Sequence, residues 1–138
     1  MKKILIGVIA MQLIHNGLAS SVSYDVVGKT YDVTRCADPE VMAELVEYMQ
    51  PEAGKKYLDV SCGSGNYTAA LYRAGLDIKG IDISEGMLNK AKAKEPNIEW
   101  LHGNAQSLPF PDNSFDGVFC IHAIHHYKDV EAAFKEMN

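Results

Sequence analysis

Two carboxylates set around a glycine turn are the residues of this chain best placed to do chemistry. In Leu58-Asp59-Val60-Ser61-Cys62-Gly63-Ser64-Gly65-Asn66-Tyr67-Thr68, a strand-like segment over 56–60 ends near Asp59 and turns through Gly63 and Gly65. A helix predicted over 66–74 follows. Glycines open backbone dihedrals closed to other residues and leave room for a ligand beside the main chain. A helix beginning there turns its first N–H groups toward a carboxylate or phosphate in that turn. A second strand, predicted over 77–82, also ends in an acid: Asp82 stands 17 residues after Gly65. That is about where a doubly wound fold places the carboxylate that grips a ribose. The pattern describes a ligand that contains a nucleoside.

The spacing argues against a dinucleotide, whose fingerprint needs a third glycine for close helix–strand packing. Counting from Gly63 and Gly65, that place is held by Thr68. Asp59 would add negative charge beside a pyrophosphate, whereas it suits a cationic ligand. A P-loop is excluded because no Gly-Lys-Ser/Thr follows the turn. The run Asp59-Val60-Ser61-Cys62-Gly63-Ser64-Gly65 resembles the acid-x-Gly-x-Gly-x-Gly motif of class I S-adenosylmethionine-dependent methyltransferases, in the group that includes ubiquinone and menaquinone biosynthesis methyltransferases. Ser61 stands for the first glycine.

Three further segments resemble that family, in its order. Tyr24-Asp25 and Tyr31-Asp32 are similar to a Tyr-Asp leader that helps cover the cofactor. Gly103-Asn104-Ala105-Gln106-Ser107-Leu108-Pro109-Phe110 resembles Gly-Asp-Ala-x-x-Leu-Pro-Phe, with Asn104 where an acid would bind the adenine amino group. An amide carbonyl can still accept that hydrogen bond. Residues 114–120 resemble the fourth strand, followed by the pair His125-His126. The resemblance implies S-adenosylmethionine as cofactor, held by Tyr24, Asp59, Ser61, Gly63, Gly65, Asp82, Ile83, Asn104, Ala105 and Cys120. Within that set it gives Asp59 the cationic methionine end, Gly63 and Gly65 close approach, Asp82 both ribose hydroxyls, and Ile83 the adenine face. The implied reaction is in-line methyl transfer to a small-molecule acceptor; the alternative is a non-catalytic cofactor-binding module or decayed fragment. No residue is singled out as catalytic.

The elements that must position these residues alternate. Asp38-Pro39-Glu40 is a helix start: a capping Asp, Pro in the first turn and an acid near the positive helix end. That helix should stop near Gln50-Pro51. After it come strand 56–60, helix 66–74, strand 77–82, helix 84–94, strands 98–102 and 115–121, and helix 129–137. Alternation of this kind gives right-handed crossovers and an α/β, Rossmann-like doubly wound parallel sheet. The family resemblance orders its strands 3-2-1-4, four of a usual seven, so residues 24–138 read as the N-terminal part of a truncated methyltransferase domain. The fourth strand then forms an apolar edge, Val118-Phe119-Cys120-Ile121, open to self-association.

Composition bounds the rest. The chain has 138 residues, 47% hydrophobic and 22% charged, with a formal net charge of −5. These values describe one globular domain and give no footprint for nucleic acid. Cys36, Cys62 and Cys120 are odd in number and widely spaced, which suits reduced thiols rather than disulfides or a metal site. His122, His125 and His126 lack a companion carboxylate pattern, so no metal is expected. Trp100 reads as packing. Residues 1–23 form an extension with a signal-like layout: Lys2-Lys3, an apolar stretch to Ile14, then small residues to Ser20. The stretch is too short to span a membrane, so no stable insertion is expected. Because the cofactor is made in the cytosol, the expected location is cytoplasmic, with export the alternative if that segment is a signal.

Overall fold

A computed structural model describes residues 36–138. Tyr24, Tyr31 and the signal-like segment lie outside the described residues. Helix α1, Pro39–Met49, starts as its sequence dictates: the Asp38 carboxylate accepts the amide N–H groups of Glu40 and Val41. It ends at Gln50, whose left-handed backbone (φ +43°) precedes Pro51. Then follow β1, Lys56–Val60; α2, Asn66–Arg73; β2, Asp77–Asp82; α3, Glu85–Lys94; β3, Trp100–His102; and β4, Gly117–Phe119. A 3-10 turn at Ile124–His126 leads into α4, Val130–Met137. Ser84 caps α3 through the Met87 N–H, and Asp129 caps α4 through the Ala132 N–H. Each cap satisfies a donor that the helix itself leaves open.

The strands form one parallel sheet in the order β3-β2-β1-β4, the α/β arrangement expected from sequence. Side chains of a strand alternate between its faces, and here both faces are covered. Leu58 and Val60 of β1 pack with Ile81, Ala133 and Met137 on the α4 side. Tyr57 packs with Leu45, Met49, Leu71 and Phe119 on the other. Asp59 therefore points toward α2 and is buried beside it.

Two strands are shorter than expected. β4 keeps only three residues because its N-terminal flank is used otherwise. Phe115 makes an edge-on contact with Phe110, ring centroids 4.9 Å apart, and the Asp116 carboxylate accepts the Lys56 N–H at 2.9 Å. After Phe119 the chain bends away, with His122 at φ +55°. β3 begins at Trp100 because the Ile98 N–H donates back to Glu95 O in a turn.

Candidate functional site at the carboxyl end of the sheet

Parallel strands place their carboxyl ends on one rim, and ligands of such sheets bind there. The rim carries the turn after β1, Asp82 and Ile83 after β2, Asn104 after β3, and Cys120 after β4. In the β1 turn, Ser61, Gly63 and Gly65 all have left-handed φ values, +59°, +57° and +75°. This tight path brings the Gly63 N–H onto Asp82 Oδ2 at 2.8 Å. The other oxygen, Oδ1, accepts the Ser84 N–H, also at 2.8 Å. Two amides thus fix the Asp82 carboxylate in the rim, and each oxygen keeps a second lone pair for a ligand hydroxyl. Burial raises its pKa above the usual carboxylate range, opposed by the bonds from Ser84 and Gly63. Beside it Ile83 is 66% exposed, an apolar plate at the mouth of the rim.

Asp59 sits one layer below. It is 3% exposed, and the Thr68 hydroxyl donates to Oδ2 at 2.6 Å. Burial pushes its pKa up to about 7, with the Thr68 bond lowering it and the nearby Asp82 charge raising it. Asp59 therefore anchors α2 and makes the turn's interior negative only when ionised, rather than reaching the rim. Thr68, which sequence reading used only to exclude a dinucleotide, is fully buried as its partner.

The two glycines play different parts. A Cβ on Gly63 would meet only Met87 Cε, at 3.8 Å, so its outer side is open to approach. A Cβ on Gly65 would lie 2.4 Å from Trp100 Cη2 and 3.1 Å from Ala91 Cβ. Gly65 is thus a glycine so that the indole can fit. Trp100 is packing, as its sequence context indicated, and its Nε1–H donates to Glu95 O at 2.9 Å.

Three other expected site residues are engaged within the fold. Asn104 Oδ1 already accepts the Gln106 N–H at 2.9 Å, which stiffens its own loop and leaves one acceptor position. The side chains of Ala105 and Cys120 are buried in the cluster of Leu58, Val60 and Met137, so only their backbone can face the rim. The rings of His125 and His126 lie 3.8 Å apart. Burial lowers the His126 pKa, as does the charge of His125, against a raising effect of Asp82. Among the described residues no group of three or more His, Cys, Asp or Glu side chains could hold a metal. A cavity lined by Phe110, Phe115, Val118, Glu136 and Met137 lies along the β4 edge and holds none of the expected site residues.

Sequence reading missed Tyr127. Its hydroxyl lies 2.8 Å from Ser61 Oγ and 3.1 Å from Cys120 Sγ. The only available signal was the Ser at a glycine position, a hydroxyl that would need a partner once half-buried.

The donor set fits S-adenosylmethionine. A fixed carboxylate suits a vicinal diol, Ile83 suits an adenine face, and open Gly63 beside two acids suits a cationic chain. A family model described as a methyltransferase domain matches residues 58–138. The chain belongs to that family. It is similar to demethylmenaquinone methyltransferase of Staphylococcus aureus, 44% identical over 100 residues that cover 68% of this chain and 42% of that protein. Among solved structures, a methyltransferase candidate from an antibiotic biosynthesis pathway of Anabaena variabilis is 35% identical, with a TM-score of 0.70 over 75% of this chain and 42% of that one. CalS10 of Micromonospora echinaspora, an amino pentose methyltransferase solved with S-adenosylmethionine bound, shares the fold (TM-score 0.67, 19% identity, 89% of this chain and 52% of that one). This chain thus carries a methyltransferase domain with the class I fold. It spans about half the length of the curated relatives it matches. No helix among the described residues is long and apolar enough to cross a membrane.

Proposed function

We propose that residues 24–138 bind S-adenosylmethionine and transfer its methyl group to a small-molecule acceptor. The observation that carries this reading is the Asp82 carboxylate, fixed by the Gly63 and Ser84 amides at the sheet rim. When bound, the cofactor supplies a sulfonium-activated methyl that an acceptor atom takes by in-line displacement, so the protein's work is positioning and exclusion of water. Asp82 would accept the two ribose hydroxyls and Ile83 would lie against the adenine. Asn104 would offer its remaining acceptor position to the adenine amino group. Gly63 would let the methionine portion run close to the main chain, above the negative interior that Asp59 provides. His125 and His126 follow β4 on the same rim and would border the acceptor.

The relatives' name makes a demethylated naphthoquinol ring the first acceptor to try. Cytoplasmic placement goes with this reading, since the cofactor is made and used there. The test is release of S-adenosylhomocysteine when the chain is incubated with S-adenosylmethionine and a demethylated naphthoquinol. Acceptor-dependent release supports transfer. Cofactor binding without release on any acceptor would leave the chain a binding module.

A further inference from the structure

We infer that Tyr127 is a positioning residue for the cofactor turn, tethering Ser61 in the left-handed conformation that a glycine takes without cost. The inference rests on the cofactor reading above and assigns to that site a residue from the loop after the neighbouring strand β4. A side chain with a Cβ is disfavoured at positive φ, and such a residue persists only where its surroundings hold it. Ser61 has φ +59° and cannot relax without consequence. On its C-terminal side the Cys62 N–H donates to Ile81 O at 3.1 Å, and the Gly63 N–H reaches Asp82 at 2.8 Å. The dihedral at Ser61 therefore decides whether the chain leaving β1 arrives at the Asp82 carboxylate.

What holds it is visible. Ser61 Oγ and the Tyr127 hydroxyl are 2.8 Å apart, in a half-buried setting. The same phenol lies 3.1 Å from Cys120 Sγ at the end of β4, and the Tyr127 N–H donates to Ile124 O at 3.1 Å. Tyr127 is thus fixed at its root and its tip. The bridge joins the turn after β1 to the loop after β4, which carries His125 and His126. Cofactor turn and acceptor-side loop are mechanically one unit. A glycine at position 61 would offer no hydroxyl and need no tether, so the two residues form a matched pair.

The test is a double-mutant cycle of Tyr127→Phe and Ser61→Gly in a Cys36→Ala background, with circular dichroism confirming the fold. One readout is affinity for S-adenosylhomocysteine. The other needs no ligand: the rate of Cys62 alkylation by iodoacetamide, followed by peptide mass mapping, which reports opening of the turn. Tyr127→Phe keeps the ring and removes the hydroxyl's contacts with Ser61 and Cys120, so it should weaken affinity and speed Cys62 alkylation by about fivefold each. In the Ser61→Gly background the same substitution should change neither by more than about twofold, because coupled residues are non-additive. Equal effects in both backgrounds would mean that Tyr127 only fills space, and no effect in the Ser61 background would mean that the tether does not act; either result overturns the inference. If Tyr127→Phe does not fold, Ser61→Ala decides: it keeps the Cβ and removes the hydroxyl, so Cys62 alkylation should quicken by about fivefold, and a parental rate overturns the inference. Should the parent bind no S-adenosylhomocysteine, the cofactor reading fails, while Cys62 alkylation still decides the tether.

Discussion

The carboxylate of Asp82 accepts the N–H of Gly63 at 2.8 Å, so the end of β2 and the turn after β1 are one structural object. The carboxylate is oriented before any ligand arrives, and the turn is held open at its one approachable glycine. Preorganisation of this kind lowers the ordering cost of binding.

Removing Asp82 should therefore cost affinity twice, through the ribose bonds and through the loosened turn. Charged-acceptor hydrogen bonds are worth roughly 1.5–3 kcal/mol each, less what water recovers. Asp82→Ala should weaken S-adenosylhomocysteine binding by at least about tenfold, roughly 1.4 kcal/mol. Asp77→Ala, at the exposed opposite end of β2, is the control and should bind like the parent. Calorimetry on both variants, with matched circular dichroism, checks this. Parental affinity in Asp82→Ala would remove Asp82 from the site.

Asp59 sets a pH dependence of defined sign. Its pKa is about 7 in the folded chain and roughly 4 in an unfolded one. Between these values the folded state holds the extra proton, so the contribution of Asp59 to stability is greatest below about pH 4 and falls as pH rises to about 7. Urea unfolding should show this slope, and Asp59→Asn should flatten it. The charged form, present above pH 7, attracts a cation. Affinity for S-adenosylmethionine should therefore rise between about pH 6 and pH 8 in the parent and not in Asp59→Asn.

Gly65 and Trp100 are a steric pair. Gly65→Ala would bring a Cβ to 2.4 Å from the indole at a left-handed residue, and should destabilise the fold by about 2–4 kcal/mol. Trp100→Leu should recover part of that loss in the double variant, as measured by urea titration. Equal, additive losses would mean that the contact is not the cause.

β4 is the outer strand of the described sheet, and Val118 is half-buried on it. An unpaired strand edge is a template for association. Sedimentation velocity across micromolar concentrations should show dimers or larger species, and Val118→Lys should shift them toward monomer. A monomer at all concentrations would show that the edge is protected.

Much of the fold was legible because local signals agreed. Asp38, Pro39 and Glu40 marked the start of their helix, and the acidic ends of β1 and β2 marked the rim. Position along the chain could not tell which side of a strand end faces a ligand. Asp59 and Asp82 look alike in sequence, yet alternation sends Asp59 under α2 to Thr68 while Asp82 stays on the rim. Gly63 and Gly65 look equally permissive, but only the packed Trp100 ring reveals why Gly65 lacks a side chain. The Ser61–Tyr127 contact spans 66 residues, a separation over which no spacing rule operates.

The most direct test is calorimetric titration of the same preparation with S-adenosylhomocysteine, NADH and ATP. A nucleoside whose amino-acid chain carries an ammonium group matches the Asp82 carboxylate, Ile83 and the acidic turn, whereas the phosphates of NADH and ATP meet two acids. The expected result is saturable binding of S-adenosylhomocysteine at least about tenfold tighter than either phosphate ligand, roughly 1.4 kcal/mol or more. Equal or tighter binding of NADH or ATP would contradict the cofactor assignment on which the proposed function stands.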